Sequence, residues 1–198
     1  MSEPYAIHAP LRGEVQSLLL GSKGGYVMSD WLPEELDYNS FGGQWEPFVT
    51  EVHRIFCRDF IESKAAIQGQ QLKINRQLDQ GREKTFWHLV TRNYQGHGRE
   101  EDDRMVDIPR AKKLPWVRAI LDALAIDPKH KDIRFWVVPE DRNAGRRETK
   151  YKIALADFSY LIVIGVKNIG LVMVTAFPLE FGNYRRKVEQ EYKKWKGQ

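Results

Sequence analysis

The stretch TKYKIALADFSYLIVIGVKNIGLVMVTAFP, residues 149–178, decides the fold. It holds three apolar runs rich in β-branched and aromatic residues: Thr149 to Leu155, Tyr160 to Val166 and Leu171 to Phe177. Between them stand only Ala156-Asp157-Phe158-Ser159 and Lys167-Asn168-Ile169-Gly170. Such short connections suit hairpins, whereas parallel neighbours need a crossover of a dozen residues or more. The sheet is therefore expected to be an antiparallel meander, with Ile133 to Val138 as a fourth strand.

Downstream of the meander, Phe181-Gly182-Asn183-Tyr184 leads into a charged helix from Arg185 to Trp195. Upstream, Pro115 opens a helix over Trp116 to Leu124, which ends near Asp127-Pro128. Thr85 to Thr91 has strand composition, and its alternation sets Phe86, His88 and Val90 on one face. A polar loop is expected over 93–107. From Trp45 to Ser63, Phe48, Val49, Val52, Ile55, Phe56, Phe60 and Ile61 recur at spacings of three and four, the stripe of an amphipathic helix. Ala65 to Glu83 reads as weak strand or loop closed by a turn at Asp79-Gln80-Gly81-Arg82. The expected class is α+β: N-terminal helices packed on a mostly antiparallel four- to five-stranded meander sheet, with a C-terminal helix. Residues 1–44, rich in Gly, Ser and Pro, read as an irregular arm before a domain over 45–198.

Composition narrows the function classes. At 42% apolar and 29% charged residues, the chain suits a globular domain rather than a disordered or fibrous one. Its single cysteine, Cys57, rules out an internal disulfide and a Cys-rich zinc site, which points to the cell interior and a cytoplasmic setting. No targeting segment and no apolar run of membrane-spanning length is seen, so a soluble protein without a membrane partner is expected. Residues 1–60 hold 4 basic and 9 acidic groups, net −5, and the remainder is net +9. A basic C-terminal portion with interspersed aromatics suits a nucleic-acid partner.

Local motifs exclude several chemistries. Gly21-Ser22-Lys23-Gly24-Gly25 lacks the pattern of a phosphate-binding Walker loop. Glu100 to Asp103 beside His97 could hold a hard cation, although a charge block of this kind is usually a solvated loop. His8, His53, His88, His97 and His130 show no local zinc spacing, so no metal and no cofactor is expected. What remains is a set suited to phosphoryl transfer: His88, Arg92, Arg104, Lys150, Lys152 and Thr175. RNA brings its own nucleophile, the 2′-hydroxyl. A ribonuclease needs a base, an acid for the departing 5′-oxygen, and donors for the phosphate charge. Histidine serves either proton role near neutrality, while arginine forks, lysine and hydroxyl groups bind the anion.

The run Lys84-Thr-Phe-Trp-His-Leu-Val-Thr-Arg92, the Arg104 loop leading to Leu114-Pro-Trp116, and the closing Leu171-Val-Met-Val-Thr-Ala-Phe-Pro178 carry a family resemblance. Together they resemble the phage-associated branch of the barnase, EndoU, colicin and RelE-like nuclease fold. The resemblance implies a metal-independent endoribonuclease, a toxin or effector of phage–bacterial conflict, that leaves 2′,3′-cyclic phosphate ends. It also implies RNA as substrate and an immunity or antitoxin protein as a partner. By position, His88 would be the general acid/base and Thr175 would hold the scissile phosphate. Arg92 and Arg104 follow from proximity to the motifs, and Lys150 and Lys152 from strand pattern on an open sheet face. A second acid/base group stays open among His97, His130 and Tyr151. The rival readings are a non-catalytic nucleic-acid or partner-binding module on the same basic sheet, and a metal-dependent hydrolase built on the acidic loop.

Overall fold

A computed structural model describes residues 30–93, 104–141 and 148–197. The Gly21–Gly25 run, the His97 loop with Glu100 to Asp103, and His8 lie outside the described residues.

The meander forms as expected. Four strands, β7 (Ile133–Val138), β8 (Thr149–Leu155), β9 (Tyr160–Lys167) and β10 (Gly170–Pro178), make one antiparallel sheet in the order β10-β9-β8-β7. Gly170 closes the last hairpin at φ +111°, a conformation that L side chains rarely adopt. Alternation along β9 sends Tyr160, Ile162 and Ile164 into one core cluster and Leu161 and Val163 into another. Both faces of the sheet are thus covered, which is why Tyr160 to Val166 carries no polar alternation.

Helices α1 (Trp45–Phe56), α2 (Lys84–Val90), α3 (Ile108–Lys112) and α4 (Leu114–Ile126) supply the larger cluster. The apolar stripe of α1, with Phe48, Val49, Val52, Ile55 and Phe56, is buried there. A π-helical turn, Cys57–Glu62, continues it. Helix α5 (Gly182–Lys196) covers the other face. It runs from the end of β10, where Tyr184 stacks on Phe177, to β7, where Trp136 meets Tyr192 edge-on. The 65–83 region forms two small ladders, β1 (Ala66–Ile67) with β2 (Gln70–Gln71) and β3 (Leu78–Asp79) with β4 (Arg82–Glu83). Gln80 and Gly81 make the expected turn at positive φ. Within the described part of the N-terminal arm, Trp31, Leu32, Leu36, Tyr38 and Phe41 pack on the larger core, and Trp116 Nε1 donates to the Pro33 carbonyl at 2.9 Å.

One element differs from expectation. The Thr85 to Thr91 segment is helix α2 and becomes extended only at β5 (Thr91–Asn93), so His88 stands in a last helical turn rather than mid-strand. The segment offers two periods. Phe86, Leu89 and Val90, spaced i, i+3, i+4, are buried, while Trp87 and His88 are half-buried. Tertiary burial selects the helical period, against the β propensity of Thr and Trp. Strand β5 pairs with β6 (Arg104–Val106), so the two ends of the expected 93–107 loop form a short ladder. Among the described residues, no helix is long and apolar enough to cross a membrane.

Candidate functional site

The site is built where the end of α2 meets the edge strand β10. A bulge between Met173 and Thr175 interrupts the β10 register, and bulges commonly re-aim side chains at sheet edges. Here the half-buried Thr175 hydroxyl donates to the His88 carbonyl at 3.2 Å. This bond satisfies a carbonyl in the last turn of α2, where helices leave acceptors unpaired. The Trp87 carbonyl accepts both the Thr91 N–H and, at 2.6 Å, the Thr91 hydroxyl. The end of α2 is therefore pinned to β10 and to its own following strand, and the chain delivers Arg92 directly beyond it.

Arg92 then enters a cavity of about 310 Å³ shared with Asp107, Arg110, Phe177, Glu180, Phe181 and Tyr184. Asp107 is buried and stands between two guanidinium groups: its Oδ2 lies 3.1 Å from Arg110 Nε and 3.8 Å from Arg92 Nε. Its Oδ1 accepts the Arg110 backbone N–H at 3.2 Å, so the same side chain caps α3. Arg110 also donates to the Thr91 carbonyl at 2.8 Å and lies over the Phe177 ring at 4.8 Å. Burial lowers the Arg110 pKa from its ordinary value, and the Asp107 carboxylate opposes that shift. Arginine still remains a cation under such conditions. Burial likewise raises the Tyr184 phenol. The result is a rigid, inner arginine and an outer one, Arg92, whose side chain is 53% exposed. The cavity thus holds two guanidinium groups, with the Asp107 carboxylate buried between them and Glu180 at its exposed wall, and such guanidinium forks match phosphate oxygens.

Sequence reading missed Asp107 and Arg110. The signal was an Asp immediately before Ile-Pro-Arg, which is a helix N-cap pattern. Replacing Asp107 with alanine removes a cap and leaves Arg110 buried without its carboxylate. A loss of about 2–4 kcal/mol in unfolding free energy is expected, to be measured by urea denaturation. Asp107→Asn, which can still accept at the cap, should recover about 1 kcal/mol of that loss.

The expected lysines sit elsewhere. Thr175, Val163, Lys152 and Trp136 lie in one row across the four strands, but past the bulge the Thr175 hydroxyl meets α2 while Lys152 meets α5. The face is not open at Lys152. Its Nζ donates to both carboxylate oxygens of Glu191 on α5, at 2.6 and 2.8 Å, because α5 covers this end of the sheet. Lys150, two rows away, lies 3.8 Å from Glu148 and is more exposed. Arg104 pairs through its backbone with Asn93, which places it at the end of the β5–β6 ladder. Of the open acid/base candidates, His130 Nδ1 accepts the Asp132 N–H at 3.3 Å and its ring meets Trp31, and Tyr151 packs edge-on against Phe135. Both are engaged in packing. His97 lies outside the described residues.

Separately, His53, Cys57 and Glu83 bring three potential metal-ligand atoms within 4.8 Å of one another. A larger cavity of about 510 Å³ lies between residues Leu32 and Glu35, the start of α4 and the turn before β9, and includes Asp132, Asp157 and Arg185. Its mixed charges are already paired in part, with Glu35 on Lys113 at 2.8 Å and Arg185 donating to the Asp157 carbonyl. Comparison of the chain with protein-family models, curated proteins and solved structures gave no match.

Proposed function

We propose that the protein is a metal-independent endoribonuclease whose site is the junction of α2, β5 and β10. The observation that carries the proposal is convergence. Thr175 lies 87 residues beyond His88, yet its hydroxyl rests on the His88 carbonyl, and Arg92, four residues after His88, opens into the two-arginine cavity. Arg92, backed by Arg110, would take the charge that develops on the phosphate. His88 would shuttle the proton between the 2′-hydroxyl and the departing 5′-oxygen. Thr175 would act as a positioning residue, since its proton is already given to α2. Cleavage by 2′-hydroxyl attack breaks the P–O5′ bond and leaves a 2′,3′-cyclic phosphate and a 5′-hydroxyl. The sequence resemblance to phage-associated nucleases favours a role as a toxin or conflict effector in the cytoplasm, with an immunity protein as partner.

Purified full-length protein with total RNA and with DNA, each in excess EDTA, tests this. The expected result is cleavage of RNA alone, with cyclic phosphate ends. Cleavage that requires an added divalent cation such as Mg²⁺, or intact RNA after long incubation, would reject the mechanism.

A second reading rests on α5. The helix carries Arg185, Arg186, Lys187, Lys193, Lys194 and Lys196 against only Glu189 and Glu191, and Glu191 is turned inward. A basic helix of this kind suits nucleic-acid binding without turnover, and predicts salt-sensitive RNA retention with no fragments.

A further inference from the structure

We infer that His53, Cys57 and Glu83 form a binding site for a transition-metal ion of the zinc type, joining α1 to the entry of α2. His53 and Cys57 stand four residues apart, on one face of a helix. Glu83 arrives from the β4 hairpin at the position just before α2, where its side chain makes no cap bond. Sequence spacing hides the set, because its third member is contributed from another element, 26 residues beyond Cys57.

The three donor atoms lie close to the spacing that a bound ion sets. The His53 Nε2 to Cys57 Sγ separation is 3.7 Å, and His53 Nε2 lies 2.8 Å from Glu83 Oε2. Tetrahedral coordination with ordinary zinc bond lengths sets nitrogen and sulfur about 3.6 Å apart, and nitrogen and oxygen about 3.3 Å apart. The first pair already has that spacing. The second needs the Glu83 carboxylate to withdraw by about half an ångström, which a flexible side chain allows. Each side chain is half-buried, so the donors are shielded yet reachable.

Donor chemistry then selects the metal. A thiolate, an imidazole and a carboxylate suit zinc or cobalt, whereas magnesium and calcium prefer oxygen alone. Three protein ligands leave a fourth position for water. The backbone supplies an independent sign. The helix changes from α to π at Cys57, and its N–H is shared between the His53 and Arg54 carbonyls. π turns within helices recur at functional sites. This turn is held in place by Arg118, which donates to the Asp59 and Ser63 carbonyls at 2.7 Å each. Binding would release the thiol proton to solvent and fasten α1 to the helix that carries His88. The inference does not depend on RNA cleavage, and its test uses no RNA.

Chelator-treated full-length protein is titrated with Co²⁺ and followed by absorption, then with Zn²⁺ by calorimetry. One Co²⁺ per chain is expected, with a thiolate-to-metal charge-transfer band and the visible bands of a four-coordinate ion, displaced by Zn²⁺. Cys57→Ser should remove the charge-transfer band. His53→Asn and Glu83→Gln should each weaken Zn²⁺ binding roughly tenfold or more. Glu83→Gln keeps a hydrogen-bonding partner for His53, so it reports ligation rather than folding. Zn²⁺ should also raise the melting temperature of the wild type by a few degrees and leave Cys57→Ser unchanged. No charge-transfer band in the wild type would overturn the inference. A band that survives unchanged in both His53→Asn and Glu83→Gln, with native circular dichroism, would overturn it as well.

Discussion

His88→Ala is expected to lower the rate of RNA cleavage about 10²- to 10⁴-fold, the usual contribution of a positioned acid/base group. RNA affinity should change by no more than a few-fold. The split follows from the geometry. His88 meets β10 through its backbone carbonyl, so truncating the imidazole leaves the Thr175 bond intact. Arg92→Ala should behave differently. It removes a cation from the two-arginine cavity while Arg110 keeps its bonds to Asp107 and to the Thr91 carbonyl. Loss of a donor to the developing charge costs about 10²- to 10³-fold in turnover, and this variant should also bind RNA with a shallower salt dependence. Single-turnover cleavage of a defined RNA, with filter binding alongside, separates the two. Wild-type rates for His88→Ala would remove the imidazole from the mechanism. Equal losses of binding and turnover in both variants would favour a docking role for this edge of the sheet.

Trp136→Ala is expected to cost about 3–5 kcal/mol of folding free energy, the range for truncating a large buried aromatic. Trp136 is fully buried in the smaller core, where its ring meets Tyr192 edge-on. Its Nε1 donates to Glu191 Oε1 at 2.8 Å. Glu191 thus accepts from both Trp136 and Lys152, and this one carboxylate fixes α5 against β7 and β8. Glu191→Ala should cost about 2–4 kcal/mol, because it strands a poorly exposed lysine and an indole donor together. Converting Lys152 and Glu191 jointly to methionine should recover most of that loss, since an apolar pair of similar volume avoids the desolvation cost. Urea denaturation measures all three. If the double variant is no better than Glu191→Ala, then the carboxylate matters chiefly for Trp136. For a domain whose total stability is on the order of 5–15 kcal/mol, the Trp136 change removes a large share.

The two findings show different degrees of legibility. The meander, its turns and the helices α1, α4 and α5 could be read because each carries one dominant period or an unambiguous turn. Apolar spacing, Pro and Gly are local signals, and local signals survive without knowledge of the rest of the chain. Helix α2 was misread because its seven residues support two periods, and the deciding term was burial of Phe86, Leu89 and Val90 against α1 and the sheet. The site was half legible. Thr175 meets the His88 carbonyl and Arg92 follows four residues on, while Arg110 and Asp107 join Arg92 only because α3 folds back on β5 and β10. The open setting expected for Lys152 is not found for the converse reason, because alternation gives a side chain's face and says nothing about the helix that will cover it.

The sequence by itself determined the class, the strand order of the meander and the residue types available for phosphate chemistry. These follow from periodicity, connection length and composition, each a property of neighbouring residues. Only the tertiary structure decided which cations share a cavity, which lysine is neutralised, and that His53, Cys57 and Glu83 meet. Those outcomes depend on distances between segments far apart in the chain, and such distances are set by how the two cores pack on either side of the sheet.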